Sequence, residues 1–178
     1  MTLQDVQAQI RCSAPPSDPR LAAGQRQVAQ TYGAALPLAY QELIRALGAG
    51  TFGGFLHLLP VTEVHTHRHR LAPFLDAEVE QWLEEEGSGD VLIFAVTDNG
   101  DLCGWPLDAL RTGSEAPVVR LIDFEMQPLA PSIVALMAQL VSGQDVFGIG
   151  PLPATFTPLC WEADVSCPVA LPLRTVTE

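Results

Sequence analysis

Apolar positions in this chain recur with two different periods, and the switches between them mark out the elements. In "TLQDVQAQI" Leu3, Val6 and Ile10 fall on one helical face behind a Thr2 cap. A weaker helical pattern runs from Arg20 to Tyr32 and stops at Gly33. "LPLAYQELIRALGAG" is the strongest helix: Pro37 suits its first position, Tyr40, Leu43, Ile44 and Leu47 form the stripe, and Gly48 ends it. "FLHLLP" reads as a short buried strand, while "VTEVHTHRHRL" has no clear period. "APFLDAEVEQWLEEEG" predicts a helix ending at Gly87, and "APSIVALMAQLVSG" another that buries Ile133, Leu136, Met137, Leu140 and Val141. Between them lie two strands flanking "TDNGD" and a third in "APVVRLIDFEM". From Gln144 on, five prolines predict an extended course, anchored by Phe147, Phe156 and Trp161. Helices, then strands in hairpin succession, then a helix define an α+β fold with a mostly antiparallel sheet and several helices in one domain.

The stretch "FAVTDNGDLCGW" predicts a hairpin. Asn99-Gly100 as a two-residue loop would pair Phe94 with Trp105 and Val96 with Cys103, with all four on the core face. Ala95, Thr97 and Gly104 would lie on the other side, small enough for a backbone to approach closely. The same register sets Asp98 against Asp101, a like-charge pair. Three outcomes are open: solvation at the tip, an arginine received from a partner, or a bound cation. Two carboxylates are few oxygens for calcium, and a hairpin tip offers no cleft to separate two catalytic pKa values.

Charge narrows the partner class. Twenty-one carboxylates face nine arginines and no lysine, giving a net charge of −12. That argues against nucleic acid, which needs a basic surface, and permits a basic protein partner. Forty-eight per cent hydrophobic and 17% charged residues fit a globular chain, with no apolar run long enough for a membrane. The N-terminus lacks the pattern of a signal peptide, so a cytoplasmic location is expected. Cys12, Cys103, Cys160 and Cys167 form no C-x-x-C pair and read as buried thiols.

Other chemistry is sparse. His65, His67 and His69 in "HTHRH" could align as a strand, or pair as His65 and His69 on a helix, to hold a metal. Arg68 and Arg70 among them would repel a cation, and a solvated basic loop is the plainer reading. His57, alternating with leucines, reads as a core or edge histidine with a hydrogen-bond partner. Glu84, Glu85 and Glu86 sit in a last helical turn, where the macrodipole disfavours them; they are either a docking feature or simply exposed.

Taken in order, these motifs resemble the SUKH superfamily, which includes a fungal cell-wall-synthesis regulator and many bacterial proteins. Leu36-Pro37 with Tyr40 matches its "LP-x-x-Y" helix start, and Gly48, Gly50, Phe52 and Gly54 match its "GAG-x-F" turn. Thr97, Asp98, Asn99, Gly100, Asp101 and Trp105 match its "TDNGD…W" hairpin, and Ile133 to Gly143 its closing helix. Gly104 departs from it, standing where an aromatic is often found. The resemblance spans about residues 28 to 158, leaving an N-terminal helical extension (1–27) and an extended C-terminal segment (159–178). It implies a non-catalytic binding domain with no cofactor. Many bacterial members are inferred to be immunity proteins that neutralise a toxin, often a nuclease. Glu84, Glu85, Glu86, Asp98 and Asp101 are the expected partner-facing acids. Regulatory binding of host proteins, or metal binding through "HTHRH", are the alternatives.

Overall fold

A computed structural model describes residues 1–12, 20–71, 89–113, 115–123 and 125–159 of the chain. The predicted helix after Pro73 with Glu84, Glu85 and Glu86, the segment with Cys160, Trp161 and Cys167, and the 159–178 extension beyond Leu159 lie outside the described residues.

The fold is α+β. Helix α1 (Leu3–Gln9) starts at a capping box in which Thr2 and Asp5 satisfy each other's backbone amides. It is followed by β1 (Arg11–Cys12), α2 (Leu21–Tyr32) and α3 (Leu38–Leu47). Pro37 precedes the first helical residue of α3 by one position. Next come β2 (Gly50–Phe52), β3 (Leu56–Leu58), a 3₁₀ turn (Val61–Glu63), β4 (His65–Thr66) and α4 (His67–Leu71). The hairpin β5 (Val91–Thr97) and β6 (Leu102–Pro106) leads into α5 (Leu107–Thr112). The chain continues through β7 (Val118–Ile122), β8 (Glu125–Ala130), α6 (Ile133–Val141) and β9 (Thr155–Pro158). The strand order is β1-β9-β2-β3-β5-β6-β7-β8, with β4 also on β5; only β1 with β9 is parallel.

One face of the sheet carries the main core. Tyr40, Phe94 and Trp105 meet there: Phe94 stacks on Trp105 at 4.3 Å, and Tyr40 meets Trp105 edge-on at 4.9 Å. Val6 and Ile10 are buried in the same core, so α1 packs against it. A smaller cluster of Leu59, Val91, Ile93, Val119 and Leu121 lies on the opposite face.

The hairpin departs from its expected register. Only Gly100 has positive φ (87°), and the Thr97 carbonyl accepts from Gly100 N while Thr97 N donates to the Asp101 carbonyl. This is a three-residue loop with glycine in the left-handed position, so Val96 pairs with Leu102 and Ala95 with Cys103. A one-residue slip of this kind turns every side chain to the wrong face. A bulge between Ile93 and Ala95 adds a second offset in the same direction, so Leu92 rather than Phe94 pairs with Trp105. The two offsets together return Leu92 and Phe94 to the core face, where Phe94 stacks on Trp105. Val96 therefore leaves the core face, and Ala95 and Thr97 join it, the reverse of the alternation read from sequence.

Three further differences have local causes. "VVRLIDFEM" is two strands, because Asp123 adopts φ 48° and reverses the chain. The segment before "FLHLLP" is itself a strand, β2. The proline-rich C-terminal stretch enters the sheet, with β9 inserted between β1 and β2. Phe147 and Phe156 are the buried anchors expected of it.

Gly104 is where close approach is demanded. A Cβ there would lie 2.4 Å from the Leu92 carbonyl oxygen and 2.7 Å from Val91 Cγ1. Gly104→Ala should therefore cost about 2 kcal/mol or more by forcing the bulged strand outward. A lowered urea midpoint at unchanged slope is the expected result; a midpoint equal to the parent's would contradict this packing.

Candidate functional site at the turn end of the sheet

Strand direction brings the tight turns together. Strands β2, β5 and β7 run the same way, so the β2–β3, β5–β6 and β7–β8 turns share one end of the sheet. β9 runs against β2, which sets the loop before it at that end too. Asp98 N donates to the Phe55 carbonyl at 3.1 Å and Gly53 N to the Thr155 carbonyl at 2.8 Å, tying the turns to one another.

Asp101 is the internal fastener. It is 8% exposed, and its Oδ2 accepts from Arg120 Nε at 2.9 Å, from Arg120 Nη2 and from Thr97 Oγ1. Arg120 reaches it because β7 pairs Arg120 with Cys103, two residues beyond Asp101 on β6. The guanidinium also donates to the Phe147 carbonyl at 3.4 Å and lies 5.5 Å from the centre of that ring. Phe147 in turn packs on Phe55 at 5.4 Å. One arginine thus links β7, the hairpin and the 145–150 loop. The like-charge clash read from sequence is resolved by an arginine from within the chain. Asp101 is thus turned inward against Arg120, unlike the exposed Asp98.

Asp98 turns the other way. Its Oδ1 accepts from His57 Nε2 at 2.5 Å, and His57 Nδ1 meets Thr51 Oγ1 at 2.9 Å. This orders hydroxyl, imidazole and carboxylate in a chain that could raise the nucleophilicity of Thr51. His57 and Asp98 are 42% and 55% exposed, however, and exposure to water weakens such an arrangement. A described cavity, of about 90 Å³, lies elsewhere, between Pro37, Leu38, Ala116 and Ile133.

Asp98, Asp123, Glu125 and Asp145 are all exposed at the turn end. Asp145 also holds its loop by accepting from Gly148 N and Ile149 N. Around the β5–β6 and β7–β8 turns the rim is therefore acidic, the arginine that β7 brings there being paired with Asp101. Exposed Arg11, at the start of β1, lies at the same end on the far side of the sheet. Asp123, Glu125 and Asp145 escaped the sequence reading because nothing local marks them. Their grouping comes from strand direction alone.

The remaining motif residues are architectural. Leu36, Tyr40, Phe52 and Trp105 are buried in the main core. Gly48 caps α3, Gly50 lies in β2, Gly54 takes a positive φ in the β2–β3 turn, and Asn99 and Gly100 form the exposed tip. The histidine motif is split. The His65 and His69 rings lie tilted with centroids 4.3 Å apart and His65 Nδ1 meets Tyr32 Oη at 3.0 Å, whereas His67 is buried with Nδ1 accepting from Val91 N at 3.2 Å. Arg68 pairs with Asp90 at 3.1 Å, and Arg70 donates to the Glu63 carbonyl. Among the described residues no three His, Cys, Asp or Glu side chains gather in a metal-holding group, and no helix is long and apolar enough to cross a membrane. Burial pushes the Cys103 thiol up to about 12, so it stays protonated.

Comparison with known proteins yields no matching family, no matching curated protein and no matching solved structure.

Removing the Asp101 carboxylate leaves a nearly buried guanidinium unpaired. Asp101→Asn should cost about 3 to 5 kcal/mol, and Asp101→Leu with Arg120→Met clearly less than the sum of the two singles. Chemical denaturation measures both, and additive losses would contradict the coupling. His65 and His67 add a pH dependence. Burial lowers the pKa of each below 6.5; for His65 the His69 and Arg70 charges add to it, and for His67 Asp90 opposes it. The unfolded chain then binds more protons, so this stability is present above pH 6.5 and is lost as pH falls below it, by at most about 1.4 kcal/mol per unit per proton. His67→Asn, which keeps an acceptor for Val91 N, should flatten the fall in unfolding free energy between about pH 6.5 and 5. An unchanged slope would exclude His67 as a source.

Proposed function

We propose that this chain is a non-catalytic protein-binding domain of the immunity type, acting in the cytoplasm to neutralise a basic toxin enzyme such as a nuclease. The observation that carries the reading is the acidic rim, where Asp98, Asp123, Glu125 and Asp145 crown one end of a chain with net charge −12. A rigid scaffold presenting charged turns suits recognition, because the turns are fixed from below by Asp101 and Arg120 and lose little freedom on docking. Like-signed carboxylates at one end steer an oppositely charged partner and raise its association rate. The order of motifs shared with the SUKH superfamily supports the same class. The histidine segment gives the metal-binding alternative two imidazoles to stand on, too few for a structural site.

The partner to test is the protein encoded by the adjacent gene, co-expressed as a catalytically disabled form. A complex is expected whose association slows at least about tenfold between about 50 and 500 mM salt. Asp98→Asn, Asp123→Asn and Glu125→Gln combined should slow association further and leave dissociation nearly unchanged. No complex, or one indifferent to both salt and the triple change, would overturn the reading.

A further inference from the structure

We infer that the docking face is the outer side of the sheet beneath the acidic rim, and that its occupant is a basic amphipathic segment of another protein. The inference rests on the proposed function and names the surface it uses. Register fixes which side chains share this face. Thr51 pairs with His57, His57 with Val96, Val96 with Leu102, Leu102 with Leu121, and Leu121 with Met126. These six side chains form one row across six strands, about 24 Å at the usual strand spacing.

The row is built in two parts. Val96 and Leu102 are half-buried against the small cluster that includes Leu121, and Met126 on the edge strand is 46% exposed. This apolar part crosses β5 to β8, about 14 Å, which two to three turns of helix cover. Thr51 and His57 continue it as polar groups, with Asp98 fastened to His57 at the rim. The apolar part is open at Val96, Leu102 and Met126, with Leu121 between them only 6% exposed, and its border of carboxylates selects the occupant. Leucine-like side chains would meet Val96, Leu102 and Met126 while Lys or Arg on the flank meet Asp98, Asp123 and Glu125.

Charge decides between occupants. A second copy of this chain would bring the same rim and another net −12 against it, which disfavours self-association. The flexible thioether of Met126 suits an adaptable contact with a helix. Pro128 removes one backbone donor from β8, and a register shift between Val118 and Val119 interrupts its pairing with β7; both work against adding a strand at that edge.

The test uses a fluorescent helical peptide of leucine and lysine, about 18 residues long with its leucines on one face, titrated by anisotropy against the full chain. Matched probes are a sequence-shuffled peptide of the same composition and a leucine–glutamate counterpart. Binding of the amphipathic basic peptide alone is expected. Met126→Glu and Leu102→Thr should each weaken it at least about fivefold, whereas Leu38→Glu, on the exposed start of α3, should leave it unchanged. Thermal melts confirm that each variant folds; Met126 is exposed enough to take the charge. Loss of binding on neutralising the rim but not on Met126→Glu would overturn the face and leave the proposed function standing. Equal binding of the shuffled peptide would do the same. Failure of every basic probe, together with no complex with the neighbouring gene's product, would sink both. A dimer of the chain that dissociates on Met126→Glu would overturn the inference in favour of a second copy.

Discussion

The ion pair between Arg120 and Asp101 holds the turn end of this molecule together. A carboxylate at the foot of a hairpin would ordinarily be solvated. Here it is drawn inside because β7 delivers a guanidinium to the same spot, and because Thr97 closes the remaining side. Two charges so little exposed are costly singly and tolerable only together. Their joint presence fixes the hairpin relative to β7, and the bond from Arg120 to the Phe147 carbonyl extends that constraint to the loop before β9. The exposed acids above it, Asp98, Asp123 and Asp145, therefore sit on turns whose positions are set from beneath.

The hairpin and the bulge in β5 form a second constraint of the same kind. A three-residue loop shifts the pairing by one, and the bulge at Phe94 shifts it by one more, which restores the facing of the side chains below. Phe94 can then stack on Trp105, and Gly104 allows the Leu92 carbonyl the room that the distorted strand requires. Glycine at position 104 is thus explained by backbone crowding.

Much of this was legible in the sequence. Periodicity located α1, α3 and α6, a weaker pattern closed by Gly33 located α2, and Asn-Gly located the hairpin, because helix stripes and turn chemistry are local signals. The register was missed because Asn99-Gly100 suits more than one loop length, and only the packing of Phe94 and Trp105 decides between them. β8 was hidden because its exposed residues carry no alternating pattern, and α5 because six residues give too little period to read. At the site, Asp98 and Asp101 looked equivalent on either side of the turn. Their opposite fates, one toward His57 on the surface and one toward Arg120 within, depend on residues 41 and 19 positions away. Charges gathered by strand direction leave no mark on neighbouring sequence, which is why Asp123, Glu125 and Asp145 were overlooked.

Under the proposed function, the turn end and outer face of the sheet are the surface that would meet a basic protein. Hydrogen–deuterium exchange of the chain with and without the adjacent gene's product reads that surface directly. The account predicts slowed exchange in peptides covering 95–103 and 120–128, with no change across 38–47. Protection confined to 38–47 or 133–141, on the helical side, would contradict it.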